Sequence, residues 1–547
     1  MRLSAITYCL LPTAYSTMKI TIDGRQVEVS PGATVLDAAR KLGIDVPSLC
    51  FLEGCKPSTS CLVCMVKVGN SGRLVPACGT QAVEGMEVDS ETAEVHQVRR
   101  TALELLLSDH VGDCLAPCWF ACPANMDIPL MLRQIREGNL RDAIVTVKRA
   151  IALPAVLGRI CPKPCEKGCR RKAADGPVAI CELKRYVADV DLASGDSYRP
   201  ECKPASGKRV AILGGGPTGL AAAYYLARSG HAATIFEAQG ELGGRLRHET
   251  TEDELPRDVL RREIALITDL GVEVRTGTPV GDEPSLKGLR TQFDAVLVAC
   301  GATKQETLEA WGLKTTGRGV QVDRATFATN LEGVFAAGNA IRTKGLVIRS
   351  VADGKEAALT LHQFLTGQTV SGPEKPFSSR IGRLDEEEVR EFLDDASQAP
   401  RRDPSAPTGF QQEEAAEQSG RCLHCDCRAL DTCKLKRYAE LYHAEPNRYR
   451  GQRAPFHQST QHSQVIYEPG KCIDCGLCIE IAANAQEPLG LTFIGRGFDV
   501  RVGVPFGRPL EEALRKVAAE CVAACPTAAL AMKTQTPQSE LPIPGQR

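Results

Sequence analysis

Residues 208–237 read KRVAILGGGPTGLAAAYYLARSGHAATIFE. An apolar strand runs into a glycine-rich turn, a helical pattern follows, and a second apolar strand ends at Glu237. Gly214, Gly216 and Gly219 form a G-x-G-x-x-G fingerprint, which permits a tight turn, close approach of the backbone to a pyrophosphate, and helix–strand packing. An acidic residue at the end of the second strand is placed to bind ribose hydroxyls. The stretch therefore predicts a Rossmann-like dinucleotide-binding fold.

Three later segments, ELGGRL, FDAVLVACGA and LEGVFAAGN, resemble the remaining cofactor motifs of FAD-binding reductases. The resemblance implies an FAD domain over 205–370, with these further binding residues: Gly243, Gly244, Arg245, Gly301, Gly338 and Asn339. Those reductases usually carry Asp at the last position, where it bonds the ribityl chain of the flavin. Asn339 can still form such a bond. The alternative is an empty nucleotide fold that is kept as a scaffold.

The length indicates a multidomain chain, and the predicted elements together with the resemblances imply domains of α+β and α/β type. The chain has 547 residues, which is enough for several domains of roughly 100–200 residues each. Its net charge is −1, so no basic field argues for a nucleic-acid partner. No apolar run reaches about 18 residues, so we expect no membrane span. We interpret residues 1–17 as an N-terminal extension and residues 536–547 as a disordered tail.

The chain contains 24 cysteines, which lie mostly in C-x2-C and C-x3-C clusters. A disulfide framework is typical of short secreted chains, whereas this spacing in a long chain favours metal or iron–sulfur ligation in a reducing compartment. We therefore expect a cytoplasmic protein. Cys9, in the extension, has no role in this interpretation.

The first cysteine group follows a predicted hairpin at Asp23-Gly24 and a predicted helix, ATVLDAARKLG. Its members are Cys50, Cys61, Cys64 and Cys78. The spacing resembles the amino-terminal [2Fe–2S] domain of the large iron–sulfur subunit of complex I and of iron–iron hydrogenases. The resemblance implies a β-grasp domain over 18–98 with one [2Fe–2S] cluster. A zinc site is the alternative. Cys55 fits no ligand position.

The second group lies in a helical segment, 99–204, that resembles the two-cluster domain of the glutamate synthase small subunit and of dihydropyrimidine dehydrogenase. The resemblance implies two [4Fe–4S] clusters, one on Cys114, Cys118 and Cys169, the other on Cys122, Cys161 and Cys165. Each set lacks one ligand, because the final ligand of that family aligns with Lys184, which cannot bind iron. Our hypothesis is that His110 and Cys181 complete the two sets. The DHVGDC segment also resembles the start of the histidine-ligated cluster of complex I, although His110 as a surface residue is the alternative.

The third group stands in the segment 411–465, after a predicted linker at 371–410. It consists of Cys422, Cys425, Cys427 and Cys433. Four thiolates this close along the chain will bind a metal. We predict a further [4Fe–4S] cluster here, with structural zinc as the alternative.

The fourth group is built from two half-motifs in the segment 466–535. In two-cluster ferredoxins the fourth cysteine of each run binds the other cluster. By that rule one [4Fe–4S] cluster is complete, on Cys472, Cys475, Cys478 and Cys525. The second cluster cannot form, since Ala482 takes one ligand position and Cys521 is a relic. The intervening sequence resembles the same complex I and hydrogenase subunits, which implies a ferredoxin-like domain.

The glutamate synthase small subunit carries a second nucleotide fold, for NADPH, between its last two flavin motifs. Here only residues 303–331 separate those motifs, so we infer that this chain does not bind NAD(P)H alone. All the implied chemistry is electron transfer, and no catalytic residue is predicted.

The sequence thus predicts an oxidoreductase component, an electron-transfer subunit of a larger redox complex. The implied partners are an FMN- and NAD(H)-binding subunit of complex I type and a small [2Fe–2S] subunit, with ferredoxin as a further one. A stand-alone FAD/iron–sulfur oxidoreductase and an empty scaffold are the alternatives.

Overall fold

The computed structural model describes residues 17–69, 72–281, 285–342 and 344–533. The predicted tail and all of the predicted extension except Thr17 lie outside these ranges. The described residues form two compact units. Unit 1 contains 17–114, 377–384 and 427–533, and unit 2 contains 115–376 and 385–426. The segment 411–465, predicted as one piece, is therefore divided between the units after Asp426.

The strands of the described residues follow in chain order. They are β1 (Met18–Ile22), β2 (Arg25–Val29), β3 (Met65–Val68), β4 (Arg73–Pro76), β5 (Glu87–Asp89), β6 (Arg209–Leu213), β7 (Ala232–Phe236), β8 (Glu273–Arg275), β9 (Ala295–Val298), β10 (Thr315–Thr316), β11 (Gly319–Val320), β12 (Val334–Ala336), β13 (Val465–Tyr467), β14 (Thr492–Ile494), β15 (Arg501–Gly503) and β16 (Leu530–Met532).

The α-helices of the same ranges, again in chain order, are α1 (Val35–Lys41), α2 (Ala93–Ser108), α3 (Pro117–Ala121), α4 (Ile128–Arg136), α5 (Leu140–Ala150), α6 (Pro154–Ile160), α7 (Pro164–Lys167), α8 (Ile180–Ala193), α9 (Pro217–Arg228), α10 (Arg245–His248), α11 (Arg257–Thr268), α12 (Leu286–Gln292), α13 (Gln305–Ala310), α14 (Val347–Leu365), α15 (Glu386–Leu393), α16 (Gln412–Ser419), α17 (Lys434–Leu441), α18 (Leu477–Asn484), α19 (Leu510–Ala513) and α20 (Ala518–Ala524).

The N-terminal part of unit 1 is a five-stranded sheet in the order β2-β1-β5-β3-β4. β1 and β2 pair antiparallel across Asp23 and Gly24, which have φ of 47° and 74°, and the predicted hairpin is thereby confirmed. Helix α1 begins with a capping box, in which the Thr34 hydroxyl accepts from the Asp37 N–H and the Asp37 carboxylate accepts from the Thr34 N–H. Alternate strand residues and one face of α1 form the core beneath the sheet.

The C-terminal part of unit 1 contains two short antiparallel strand pairs, β13–β16 and β14–β15. Helices α18 and α20 pack on each other and share an apolar core with these strands. A separate core joins α2 and α17 to the loops that carry Cys50 and Cys475. Unit 1 therefore connects its first and last segments through buried side chains.

Unit 2 combines helices α3–α8 with a parallel five-stranded sheet in the order β12-β9-β6-β7-β8. The strand–turn–helix–strand unit predicted at 208–237 is confirmed as β6, α9 and β7. Helix α14 packs against α9, where a Cβ added to Gly354 would lie 2.3 Å from the Thr218 carbonyl oxygen. This close approach places the start of α9, next to the glycine turn, beside the middle of α14.

The predicted linker at 371–410 has structure of its own. Helix α15 begins with a capping box between Asp385 and Glu388. It buries Val389 and Phe392, and the Arg170 guanidinium lies 5.6 Å above the Phe392 ring. Residues 377–384, from the same predicted linker, belong to unit 1. The stretch predicted as a linker thus contains a helix, α15, whose apolar face is packed.

Candidate metal and dinucleotide sites

The cysteines of the first group converge on one point. Cys50 Sγ lies 3.3 Å from Cys61 Sγ, and Cys64 Sγ lies 3.4 Å from Cys78 Sγ. All four side chains are buried. Hydrogen bonds from the Cys61 and Cys78 thiols lower the pKa of Cys50 to about 2. An anionic sulfur is therefore favoured within the group, and thiolate is the form that binds iron.

The two halves of the fourth group also meet. Cys472, Cys475, Cys478 and Cys525 line one cavity of about 360 Å³. The Asp474 N–H donates to Cys472 Sγ at 3.4 Å, and the Leu530 N–H donates to Cys525 Sγ at 3.5 Å. Amide donors to sulfur are a usual feature of iron–sulfur sites. Cys521 instead packs in the apolar core beside Ala482, with its thiol toward the Cys478 carbonyl oxygen.

The structure divides the third group, which we predicted as one site. Cys422 and Cys425 line a cavity of about 340 Å³ in unit 2 together with Cys118 and Cys169. The His424 N–H donates to Cys422 Sγ at 3.4 Å. Asp426 ends this segment and accepts two hydrogen bonds from the partly buried Arg133 guanidinium, at 3.2 and 2.9 Å.

The other half of the third group lies in unit 1 with Cys114. The Cys427 N–H donates to the Cys114 carbonyl oxygen at 3.1 Å, and the charges of Cys114 and Cys427 both act on Cys433. Burial and these neighbours raise the pKa of Cys433 to about 12. Ser379, which sequence reasoning missed, lies 3.4 Å from Cys114 Sγ through its hydroxyl. In the structure Cys114 thus lies with Cys427 and Cys433, whereas Cys118 and Cys169 line a cavity with Cys422 and Cys425, an arrangement that differs from the predicted grouping.

His110 lies beside this second set. Its Nδ1 atom is buried and has no hydrogen-bond partner among the described residues. Burial and the nearby Lys471 ammonium lower the pKa of His110 to about 3, so the imidazole is neutral and able to ligate. A Cβ added to Gly112 would lie 2.7 Å from Lys471 Cε and 2.9 Å from His110 Nε2. Lys471 also acts electrostatically on Cys427, which places His110 in the surroundings of that cysteine.

A further set of cysteines lies on the helical segment of unit 2. Cys181 forms a hydrogen bond with Cys161, and its charge and that of Cys122 act on Cys165. Its thiol also lies 3.4 Å from the Leu157 carbonyl oxygen. The buried Lys184, one turn further along α8, donates to the same oxygen at 3.1 Å. The structure thus brings together Cys122 and the three later cysteines of the segment.

A zinc ion holds four sulfurs at about 2.3 Å from one point. The described ranges contain no group of three or more His, Cys, Asp or Glu side chains arranged to hold a single ion. Four cysteines around one cavity, or three with a histidine beside them, supply the donors that iron–sulfur clusters require.

The glycine turn after β6 has the form required for a bound dinucleotide. A Cβ added to Gly219 would lie 2.0 Å from the Gly214 carbonyl oxygen, so the helix and turn touch. A Cβ on Gly216 would meet no atom within 4 Å, which leaves open space above the helix start. The Glu237 carboxylate accepts from the Gly215 N–H at 2.7 Å.

The later flavin motifs surround the same turn. A Cβ added to Gly338 would lie 2.1 Å from Thr218 Oγ1, and the buried Asn339 Oδ1 has no hydrogen-bond partner among the described residues. Gly244 lies against Gly216, and Gly301 has open space at its Cβ position. Arg245 is half-exposed and pairs with Glu249 at 2.5 Å. The open cradle and the unpaired amide oxygen fit an FAD.

The segment between β9 and β12 is short. Its described residues form α13 and the two-stranded pair β10–β11, without a βαβ unit. The short spacing of the last two flavin motifs, residues 303–331, thus corresponds to one short helix and one strand pair.

Three family models match the chain. Residues 16–93 match a 2Fe-2S iron–sulfur cluster binding domain, residues 94–196 match dihydropyrimidine dehydrogenase domain II with its 4Fe-4S cluster, and residues 174–354 match the pyridine nucleotide-disulphide oxidoreductase model. The chain carries these three kinds of domain. The sequence-based resemblance is therefore confirmed for a [2Fe–2S] domain, a helical [4Fe–4S] domain and a Rossmann-like oxidoreductase domain.

Curated relatives agree with these matches. The NADPH-Fe(3+) oxidoreductase subunit beta of Geobacter sulfurreducens is 39% identical over 36% of this chain and 30% of its own length. The NADP(+)-dependent formate dehydrogenase subunit beta of Moorella thermoacetica is 40% identical over 34% of this chain and 29% of its own length. The glutamate synthase [NADPH] small chain of Bacillus subtilis is 31% identical over 44% of this chain and 52% of its own length.

The match spans 29–52% of the length of these relatives. They are subunits of redox enzymes, so the prediction of an oxidoreductase component is confirmed. Within the described ranges, no helix is long and apolar enough to cross a membrane.

Proposed function

We propose that this chain is an electron-transfer subunit of a larger NAD(H)-linked redox complex. Its described residues offer five metal-binding sets and one dinucleotide cradle, and no nucleophile–base pair is among the residues assigned to them. Bound iron–sulfur clusters supply one-electron transfer, and bound FAD converts between one- and two-electron chemistry.

The proposed ligand sets follow the structure. The [2Fe–2S] cluster takes Cys50, Cys61, Cys64 and Cys78. The four [4Fe–4S] clusters take Cys472, Cys475, Cys478 and Cys525; Cys118, Cys169, Cys422 and Cys425; Cys122, Cys161, Cys165 and Cys181; and His110, Cys114, Cys427 and Cys433. These sets retain every residue predicted as a ligand and change only the grouping.

One observation carries the proposal, namely that three of the sets in unit 1 share one apolar core. Cys50, Cys433 and Cys475 are all buried in it. The charge of Cys50 acts on Cys475, and Cys433 Sγ lies 3.6 Å from the Pro526 carbonyl oxygen, next to Cys525. Closely spaced redox sites in a dry core are expected of a relay. A single-substrate enzyme would not need so many.

Unit 2 joins its helical segment to the flavin fold in a similar way. Lys355, on helix α14, donates from Nζ to the Ala124 carbonyl oxygen at 2.5 Å. Ala124 stands two residues after Cys122, and the Glu263 carboxylate of α11 accepts from the Val156 N–H at 2.8 Å. The helices that hold the cysteines are therefore fixed directly to the helices of the dinucleotide fold.

The described residues between β9 and β12 form no second nucleotide fold, and we therefore propose that NAD(H) binds to a partner subunit. We propose an FMN- and NAD(H)-binding subunit of complex I type, with the Cys50 domain as its docking point, together with a small [2Fe–2S] subunit and ferredoxin as further carriers. Thiolate ligands to iron need a reducing compartment, so we place the complex in the cytoplasm.

Cofactor analysis of the anaerobically purified chain tests the proposal. We expect about 18 iron atoms per chain, no zinc and one FAD. A content near 14 iron atoms with one zinc would move one of the proposed sets to zinc, and absence of flavin would support the scaffold alternative.

A second experiment addresses the partner. Isothermal titration with NADH and NADPH should show no binding to the isolated chain, and steady-state NADH–dye reduction should require the partner subunit. Micromolar binding together with dye reduction by the isolated chain would favour the stand-alone oxidoreductase instead.

A further inference from the structure

One buried lysine stands among the cysteines of the helical segment. Lys184, on helix α8, is 4% exposed. Its Nζ donates to the Leu157 carbonyl oxygen, which also receives the Cys181 thiol. The charges that act on it come from Cys181, Cys161, Cys165 and Cys122. The ammonium thus lies beside Cys181, and the charges of the other three members of the same donor set act on it.

Lys184 differs from Lys148 and Lys471, the other buried lysines among the described residues, in having no carboxylate partner. Lys471 pairs with Glu468 at 2.5 Å, and Lys148 pairs with Asp191 at 3.1 Å. Among the described residues, no carboxylate oxygen lies within ion-pair distance of Lys184 Nζ. An isolated buried charge is strongly unfavourable unless an opposite charge compensates for it.

The other charged groups near this donor set are largely neutralised in pairs. Lys163 is bound to Glu182 at 3.0 Å, and Glu166 is bound to Arg401 at 3.0 Å. Lys355 feels the charge of Cys122, but the Glu356 carboxylate acts on it more strongly. Within the described ranges Lys355 forms no ion pair either, but it is only partly buried and its Nζ is held by the Ala124 carbonyl oxygen. Lys184 is therefore the buried cation that these pairs leave uncompensated.

A cluster held by four thiolates is anionic, and reduction adds one more negative charge. A nearby buried cation stabilises the reduced form more than the oxidised form, since charges interact strongly where water is excluded. A cation of this kind therefore raises the reduction potential. The same attraction compensates the ammonium, so cluster loading and burial of Lys184 stabilise each other.

We propose that Lys184 is the fixed countercharge of the cluster at Cys122, Cys161, Cys165 and Cys181, and that it raises the reduction potential of that cluster. The inference rests on this ligand set of the proposed function. Lys184 acts as a positioning charge and not as a ligand, since an ammonium has no lone pair for iron.

The test is a potentiometric titration of the full-length chain followed by EPR. The signal lost from a Cys161→Ser variant identifies the cluster. Lys184→Met should keep the iron content and move the midpoint of that signal to lower potential, whereas Lys184→Arg should keep it near the native value. Lys163→Met is the matched control, because it removes a half-exposed, paired lysine beside the same cysteines and should shift the midpoint far less.

The outcomes separate the inference from the proposed site. If Cys161→Ser removes no signal and no iron, the ligand set itself is wrong. If Lys184→Met keeps the cluster at an unchanged potential, the countercharge role is wrong and the site stands. If the cluster does not assemble in Lys184→Met, the Lys184→Gln and Lys184→Arg variants are compared. Loss of the cluster in Lys184→Gln alone supports the countercharge role, whereas equal loss in both variants contradicts it.

Discussion

The loop that carries Cys50–Cys78 and the segment that carries Cys422–Cys433 are both short and rich in cysteine, yet they are used differently. In the loop, all four sulfurs turn toward one point, with Sγ–Sγ distances of 3.3 and 3.4 Å. In the segment, Cys422 and Cys425 belong to unit 2, and Cys427 and Cys433 belong to unit 1. Nearness along the chain therefore does not decide which cysteines lie together in the fold.

The reason is that the chain passes between the units at this segment. It leaves unit 1 after Cys114, returns for residues 377–384, and returns again after Asp426. Cys114 and Cys118, four residues apart, join different sets, and Cys425 and Cys427, two residues apart, do the same. Cysteines that are more than 300 residues apart in the sequence thus lie in the same set. Cys114 lies with Cys427, and Cys118 lies with Cys425.

The largest single effect should come from the half-motifs of the fourth group. Cys525→Ala should remove one cluster, or about four iron atoms per chain, because Cys525 lines the cavity with three other cysteines. Cys521→Ala is the control and should leave the iron content unchanged, since Cys521 packs in the apolar core. Iron analysis of both purified variants measures the difference. Equal loss from both would mean that the half-motifs do not combine in this way.

A smaller effect is expected at the crossing in unit 2. Arg133→Met should lower the free energy of unfolding by about 3 kcal/mol, because it leaves the Asp426 carboxylate partly buried and without its two guanidinium bonds. Urea unfolding, followed by loss of the cluster absorption, measures it.

The control for this variant is Arg390→Met on α15. It removes an ion pair with Glu386 whose two side chains are largely exposed, so the change should be about 0.5 kcal/mol or less. If both variants unfold at the same urea concentration, the Arg133–Asp426 pair does not fix the segment that holds Cys422 and Cys425.

The smallest effect is a change of potential without a change of iron content. His110→Cys should keep about 18 iron atoms and lower the potential of one cluster, because an imidazole ligand gives a higher potential than a thiolate. Potentiometric EPR measures the shift. His96→Cys is the control. His96 lies on α2, is half-exposed and pairs with Glu91, so this variant should leave every cluster potential unchanged. An unchanged potential in His110→Cys would favour the surface-residue interpretation.

Much of this fold was predictable because it depends on local patterns. Turn residues, helix caps and the alternation of apolar and polar residues predict three of its parts. These are the hairpin at Asp23-Gly24, helix α1 with its N-cap at Thr34, and the β6–α9–β7 unit. The helix α15 was missed, since a Pro-rich stretch beside it dominated the composition of the predicted linker.

The grouping of the cysteines was not predictable from spacing alone. Residues such as Ser379 and Glu468 gave no signal, because their importance comes from contacts with Cys114 and Lys471 that the fold creates. The C-x5-C spacing of Cys427 and Cys433 was present in the sequence. These two cysteines could have been separated from Cys422 and Cys425 only with knowledge of where the chain passes from one unit to the other.

We propose that Cys425 and Cys427 serve different clusters. Iron content of the Cys425→Ala/Cys427→Ala double variant tests it most directly, with each single variant and the native chain as references. We predict a fall from about 18 iron atoms to about 14 in each single variant and to about 10 in the double variant. A double variant that keeps about 14 would show that the two cysteines share one cluster and would contradict the account.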